Sequence, residues 1–406
     1  MSLLLATKRE QRQLLRKELA AFPQITPRCR YVGTCGGCNL QDLAYEHQLA
    51  LKQRSVEQAF RPFGINAVPL EPLADPWRYR NKMELSFGRA AEMPVLGLHA
   101  SGSFWKIVDI DDCWLVPELF SRVTATVREV ARRSGLPMYD AKHHRGFWRH
   151  LVLRYSRLTH QVLACVITDD GPRAAIDDLA ETLHRTHPDV ATLYWGVNQR
   201  LADVAAADVL TLIAGPPYVR EQIGPFVMDL HPLAFLQPSL AQAAHLYDTV
   251  VAWVRPHGIA QAWDLYAGIG CIGFYLARTA QSVVCLESEA PNVELLQHNA
   301  RLNGLTNITV HQGQVESSAR YLDGLPPPDC IVVDPPRAGL HKYALRALAR
   351  VQPRCFVYVS CNLATLTANL RVLLASWPDY RIAAVQAFDM FPQTTHVETL
   401  VLLTRP

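Results

Sequence analysis

The chain lacks any long apolar run: no stretch of its 406 residues approaches the ~20 consecutive apolar residues that a membrane-spanning helix needs. Its opening, MSLLLATKREQRQ, is apolar only briefly before turning basic, so no secretory leader is expected and the cytoplasm is the expected address. Excess charge is also scarce. Lys and Arg number 40 against 37 Asp and Glu, a net of +3, which neither demands nor excludes a polyanionic partner. There is no internal repeat and no low-complexity tract. Apolar residues at 49% and charged residues at 19% exclude a disordered chain. What remains is enough length for two or three domains of about 150 residues each, and cysteine in quantity. Ten cysteines in a cytoplasmic chain are not expected to pair as structural disulfides, so their spacing is read for metal or catalysis.

The pattern divides the chain at about residue 231. Residues 8–20 read as a basic amphipathic helix, 29–38 as a Cys- and Gly-rich loop, and 43–60 as a second helix that could pack on the C-terminal part. Between about 75 and 225, short strands such as KMELSFGRA, RHLVLRYS and QVLACVITD alternate with helical stretches near 117–134 and 173–186. That pattern predicts an α+β region with helices on one face of a sheet. AGPPY at 214–218 is a plausible interdomain turn. From 232 to 406, near-continuous apolar strands alternate with helices, which predicts an α/β, doubly wound, Rossmann-like parallel sheet. Its last 25 or so residues lack a helix between two apolar runs and read as a closing strand pair.

The chemistry gathers at the strand ends of this second half. Asp264-Leu-Tyr266-Ala-Gly268-Ile-Gly270-Cys-Ile-Gly273 fits G-x-G-x-x-G between a strand and a helix, and Glu287 closes the next strand. Such a loop lets backbone approach a ligand while the acid holds ribose hydroxyls. Dinucleotides and S-adenosylmethionine both satisfy that description. Asp334-Pro335-Pro336 ends the strand CIVV, because proline cannot donate to a ladder. Ser360-Cys361-Asn362 ends FVYV and puts a thiol at the same edge. Taken singly, Asp334 is a helix N-cap and Cys361 a small packed residue; together beside a glycine loop they mark a site.

At this point the sequence resembles the RNA uracil-5 methyltransferase family, S-adenosylmethionine-dependent enzymes that make 5-methyluridine. The matching pieces, in family order, are FLQPS at 235–239, DLYAGIG at 264–270, CLES at 285–288, DPPRAGL at 334–340, SCN at 360–362 and FPQTTHVETLVLL at 391–403. The resemblance implies that Cys361 adds to carbon 6 of uracil and that Glu398 later removes the carbon-5 proton. It places Gln237, Tyr266, Gly268, Gly270, Glu287, Gln314 and Asp334 around cofactor or target base. Cys271 and Gln314 depart from the residue types usual there.

Cys29-x5-Cys35-x2-Cys38 is a metal-ligand spacing, and Cys113 is the candidate for a fourth thiolate. Spacing leaves zinc and an iron–sulfur cluster open. The resemblance implies a [4Fe–4S] cluster, which in turn favours 23S ribosomal RNA as substrate over transfer RNA, although archaeal-type relatives with a cluster act on transfer RNA. About 28 residues precede Cys29, too few for the small β-barrel RNA-binding domain of many cluster-bearing relatives. RNA contacts are expected instead from Lys142, His143, His144, Arg145, Trp148, Arg149, Arg154 and Arg157, which interleave cations with aromatics. No obligate protein partner is evident. Two rival readings stand: a nicotinamide oxidoreductase, which leaves SCN and HVE idle, and a non-catalytic, metal-stapled RNA-binding protein, which leaves Cys361 and Glu398 idle.

Overall fold

The computed structural model describes residues 21–90, 93–103, 105–317 and 324–405; the basic helix expected at 8–20 lies outside them. Two sheets organise the chain. The first has seven strands in the order Ile107–Asp109, Met93–His99, Lys82–Ala90, Trp148–Tyr155, Val162–Thr168, Val190–Val197 and Val209–Ala214. Neighbours pair antiparallel except Val162–Thr168 with Val190–Val197, a parallel pair joined through the helix Arg173–Thr186. Period-2 alternation sends Leu85, Leu151, Leu153 and Val166 to a core under that helix and the helix Glu118–Arg133. Val152, Leu163, Cys165 and Ile167 face the other way, into a core shared with the C-terminal half. The sheet is therefore covered on both faces.

The second sheet runs Leu70–Glu71, Arg381–Phe388, Glu398–Thr404, Cys355–Ser360, Cys330–Val333, Gln261–Leu265, Ser282–Glu287 and Ile308–Gln312. From Gln261–Leu265 the chain builds outward first through Ser282–Glu287 and then, on the other side, through Cys330–Val333, so a topological switch lies at the end of that first strand. The closing pair differs from a simple hairpin at the sheet margin. Glu398–Thr404 runs antiparallel and wedges between Cys355–Ser360 and Arg381–Phe388, making the sheet mixed. This reversal brings the first residue of the last strand to the edge where the parallel strands end.

Both faces of this sheet are covered, as continuous apolar strands require. Helices Leu240–Val254 and Ala290–Leu302 lie in one core. Helices Lys342–Leu348 and Leu363–Ser376 lie in the other, joined by Val56, Ala59 and Phe60 of the N-terminal helix Tyr45–Phe60. The AGPPY turn leads from the last strand of the first sheet into a hairpin, Val219–Ile223 with Phe226–Leu230, packed in the first of these cores. Among the described residues no helix is long and apolar enough to cross a membrane.

Candidate active site

The turn after Gln261–Leu265 is shaped by its own residues. Gly268 and Gly270 take φ of 56° and 93°, which side chains rarely adopt. At Gly270 a Cβ would stand 2.6 Å from the ring of Phe274 and 2.8 Å from Leu296, so only glycine closes this turn. Around Gly268 the corresponding space is open. Asp264, fully buried, accepts from the Gly273 amide at 2.7 Å and fastens the following helix to the strand. Burial pushes its carboxyl up to about 8. Glu287 accepts from the amides of Gly268 at 2.8 Å and Glu289 at 2.9 Å, which fixes the carboxylate at the rim. Tyr266 sits at φ 65°, a strained position for a non-glycine residue, and donates to Glu316 at 2.9 Å.

Tyr266, Gly268 and Glu287 line one cavity of about 810 Å³ that also takes in Gln237, Gln314, Asp334, Cys361 and Glu398. Eight of the nine catalytic and cofactor residues expected from sequence therefore share it. Gly270 is the exception. It is not among the lining residues and acts as N-cap of the helix Cys271–Leu276.

Register explains why Cys361 and Glu398 meet. Ser360 pairs with Thr399, so one further step of the same antiparallel register sets Cys361 opposite Glu398. The electrostatics agree with that proximity. Burial and the Glu398 carboxylate together push the Cys361 thiol up to about 12, while Arg337 opposes the shift. Burial first and Asp334 second raise Glu398 well above the ordinary carboxylate range. Among the described residues Glu398 Oε1 has no hydrogen-bond partner, an orphaned buried acceptor on a residue that lines the cavity. Asp334, pushed up to about 7 by burial, accepts from Gln237 Nε2 at 3.4 Å.

Sequence reading passed over several lining residues. Arg337 and His396 lie in the recognised pieces, and the Arg337 guanidinium stands 3.2–3.3 Å from both ring nitrogens of His396. Burial and that guanidinium hold the imidazole down at about 4, so it is neutral near pH 7. Asn362 caps the next helix and donates from Nδ2 to the Arg337 carbonyl at 2.9 Å, fixing the segment beside the thiol. Tyr247, Asn292 and Glu316 also line the cavity, and no motif marks them.

The four expected metal ligands lie together elsewhere. Cys29, Cys35, Cys38 and Cys113 line a second cavity of about 390 Å³. The Gly37 amide donates to Cys35 Sγ and Gln41 Nε2 to Cys38 Sγ, each at 3.3 Å. Among the described residues no three His, Cys, Asp or Glu side chains stand together as a ready metal-holding group, so the thiols share a cavity rather than a coordination sphere. Burial pushes Cys38 up to about 12 and moves Cys35 and Cys113 the same way.

Three of the eight expected RNA contacts are corrected. Trp148, Arg149 and Arg154 are buried in the fold. Arg149 donates to the carbonyls of Asn198 at 2.5 Å, Arg200 at 2.9 Å and Ala202 at 3.0 Å, and its guanidinium lies 3.9 Å from the Tyr139 ring centre. Arg154 donates to the carbonyls of Pro232 and Ala234. A sheet covered on both faces has no solvated side for mid-strand cations. Lys142, His143, His144, Arg145 and Arg157 remain exposed.

Comparison with known proteins agrees with this geometry. Residues 327–406 match the family model for tRNA (uracil-5-)-methyltransferase. An uncharacterized RNA methyltransferase of Halalkalibacterium halodurans is 34% identical over 92% of this chain and 82% of its own. Another, from Chlorobaculum tepidum, is 34% identical over 95% of this chain and 85% of its own. The chain belongs to the RNA uracil-5 methyltransferase family. It is an S-adenosylmethionine-dependent RNA methyltransferase. The Pyrococcus abyssi tRNA (uracil-54, C5)-methyltransferase, solved with S-adenosyl-L-homocysteine, superposes with a TM-score of 0.75 at 29% identity, covering 91% of this chain and 86% of that one. Both the nicotinamide reading and the non-catalytic reading fall.

Proposed function

We propose that this enzyme methylates carbon 5 of a uridine in 23S ribosomal RNA through a covalent adduct at Cys361. The observation that carries the reading is the facing pair Cys361 and Glu398 at adjacent strand ends, inside the cavity that holds the glycine loop. The Cys361 thiolate adds to carbon 6, and the C5–C6 π pair moves out to the C4 carbonyl as an enolate. Carbon 5 then takes the methyl group, and the bond to the sulfonium breaks with its pair left on sulfur. Glu398 removes the carbon-5 proton; the freed pair re-forms C5=C6 and the C6–S pair returns to Cys361. Asp334 and Gln237, which share the cavity, are assigned to the uracil edge or the cofactor. Gly268, Gln314 and the rim acid Glu287 are assigned to the cofactor, with Tyr266 beside them and Gly270 forming the turn. A sulfonium carries the positive charge that this acid-lined cavity needs to hold a thiolate and a carboxylate ionised.

The target uridine must leave any stacked helix to reach Cys361, so base flipping is part of the proposal. The exposed cations Lys142, Arg145 and Arg157 are assigned to the RNA backbone. We assign the cysteine cavity a structural [4Fe–4S] cluster held by Cys29, Cys35, Cys38 and Cys113. Support comes from four thiols lining one small cavity, with N–H donors directed at two of the sulfurs. The enzyme is assigned to the cytoplasm, in keeping with ten free cysteines. A second reading, transfer RNA as substrate, is favoured by the Pyrococcus neighbour.

Mapping 5-methyluridine in both RNAs from a strain lacking the protein decides between substrates: loss of a ribosomal site supports the first reading and loss of a transfer RNA site the second. Anaerobically purified protein is expected to be brown, with about four irons per chain. Cys113→Ser is expected to lose that iron, with RNA binding falling before cofactor binding. One zinc per chain would refute the cluster.

A further inference from the structure

The loop at 389–397 joins the strands Arg381–Phe388 and Glu398–Thr404, and Glu398 is in register with Phe388 at its mouth. Nine residues linking two antiparallel strands would by themselves hold that mouth loosely. Here the grip comes from the far end of the chain. Asp389, the residue after Phe388, is fully buried and accepts from Lys52 Nζ at 2.5 Å and Tyr45 Oη at 2.9 Å. Lys52 also donates to the Phe391 carbonyl at 3.0 Å. Gln48, 1% exposed, donates from Nε2 to Gln393 Oε1 at 2.9 Å and accepts from the Gln393 amide at 2.9 Å. The same Nε2 stands 3.0 Å from the carbonyls of Leu40 and Leu43. Gln393 is held at φ 69°, outside its ordinary range.

The cysteine loop pulls on the same point. The amides of Asn39 and Leu40, directly after Cys38, donate to the Gln393 carbonyl at 3.0 and 3.1 Å. Asn39 Oδ1 accepts from the Thr395 amide at 3.0 Å. Phe235, Leu236, Pro238 and Phe391 line both cavities, so one wall separates the thiols from the reacting groups. Buried polar groups joined this completely define a single arrangement, and a partly satisfied set costs more than none.

We propose that Gln48 and Lys52, on the helix Tyr45–Phe60, are positioning residues for removal of the carbon-5 proton, acting through the loop at 389–397 on Glu398 and His396. The proposal rests on the assignment of Glu398 as base. It predicts a separation of steps: loosening the loop leaves thiol addition and methyl transfer in place while slowing release. A shift of about 1 Å at a reacting group costs up to ~100-fold.

The test uses the full chain, S-adenosylmethionine carrying a tritiated methyl group, and two probes, unmodified 23S ribosomal RNA and transfer RNA transcripts. Tritiated RNA still attached to protein after denaturation is compared with tritiated RNA set free, on whichever transcript the native enzyme methylates. Gln48→Ala is expected to raise the attached-to-free ratio roughly ten- to a hundredfold, with S-adenosylhomocysteine affinity unchanged. Lys52→Met paired with Asp389→Asn avoids stranding a buried charge and is expected to behave like Gln48→Ala. Glu398→Gln runs in parallel. No adduct there overturns the base assignment. An adduct there beside native release in Gln48→Ala overturns the positioning role, and so does a Gln48→Ala protein that loses cofactor binding and methyl transfer together.

Discussion

In the eight-stranded sheet the polar residues assigned to chemistry stand at or just past strand ends: Tyr266, Glu287, Asp334, Cys361 and Glu398. In the seven-stranded sheet Arg149 and Arg154 lie buried within a strand, and backbone carbonyls of the same chain accept from the terminal nitrogens of each. The two sheets teach one rule. Where both faces are covered, a side chain within a strand serves the fold, and only the edge left by the last ladder bond faces a ligand.

The largest effect expected from that contrast is at Cys361. Cys361→Ala removes the partly buried thiol to which the covalent step is assigned. Methyl transfer is expected to vanish while S-adenosylhomocysteine binding and thermal stability stay near native, read by calorimetry and by transfer from labelled donor. Appreciable turnover would sink the nucleophile assignment. Arg149→Ala is the mirror case. It strands the buried Asn198 carbonyl, frees those of exposed Arg200 and Ala202, and removes a guanidinium stacked on Tyr139. Denaturant unfolding is expected to show a loss of about 2–4 kcal/mol. Cofactor affinity at the distant strand edge should hold in whatever fraction remains folded.

The same rule explains what was legible in the sequence. The glycine loop, Asp334-Pro335-Pro336 and Ser360-Cys361-Asn362 are short and contiguous, and each sits where a strand must stop, so strand periodicity alone carried them to one edge. The strand KMELSFGRA and the helices near 117–134 and 173–186 were legible from alternation and periodicity. The insertion of Glu398–Thr404 between two earlier strands was not, because strand order leaves no mark on local pattern. Nor were the buried cations. A run that mixes Arg, His and Trp with apolar residues reads alike whether its polar face meets water or carbonyls from residues 198–234. Lys52 and Asp389 lie 337 positions apart, and nothing local to either announces the other.

Asp264 sharpens the comparison from within the catalytic sheet. It belongs to a strand rather than to the edge, is fully buried, and binds the Gly273 amide. The rule gives it to the fold, and its proton provides a reading. Because burial raises its carboxyl to about 8, the folded chain keeps a proton there that the unfolded chain releases in the ordinary carboxylate range. Stability is therefore expected to fall as pH rises from that range towards 8. Asp264→Asn keeps an acceptor for Gly273 and removes the titration. Unfolding followed across this window is expected to lose up to about 1.4 kcal/mol per pH unit of slope. Asp334, raised to about 7, keeps part of the dependence in place. An unchanged slope would mean that Asp264 is ionised in the folded enzyme.

The smallest expected effects lie on the exposed remainder of the cationic stretch. Lys142 and Arg145 sit in the loop before the strand Trp148–Tyr155, outside the reach of either core. Alanine at either position is expected to change stability by no more than about 0.5 kcal/mol. Each cation that meets a phosphate, however, releases a counterion on binding. Losing one is expected to lower the slope of log affinity against log salt by about 0.7 on single-stranded RNA. The Lys142→Ala and Arg145→Ala double variant should therefore lose roughly twice that, with the methyl-donor affinity untouched. The measurement needs RNA titrations at several salt concentrations rather than one. A double variant with native slope would remove this loop from the RNA path and leave Arg157 as the exposed cation of the stretch to examine, since Arg149 and Arg154 are already spent inside the sheet.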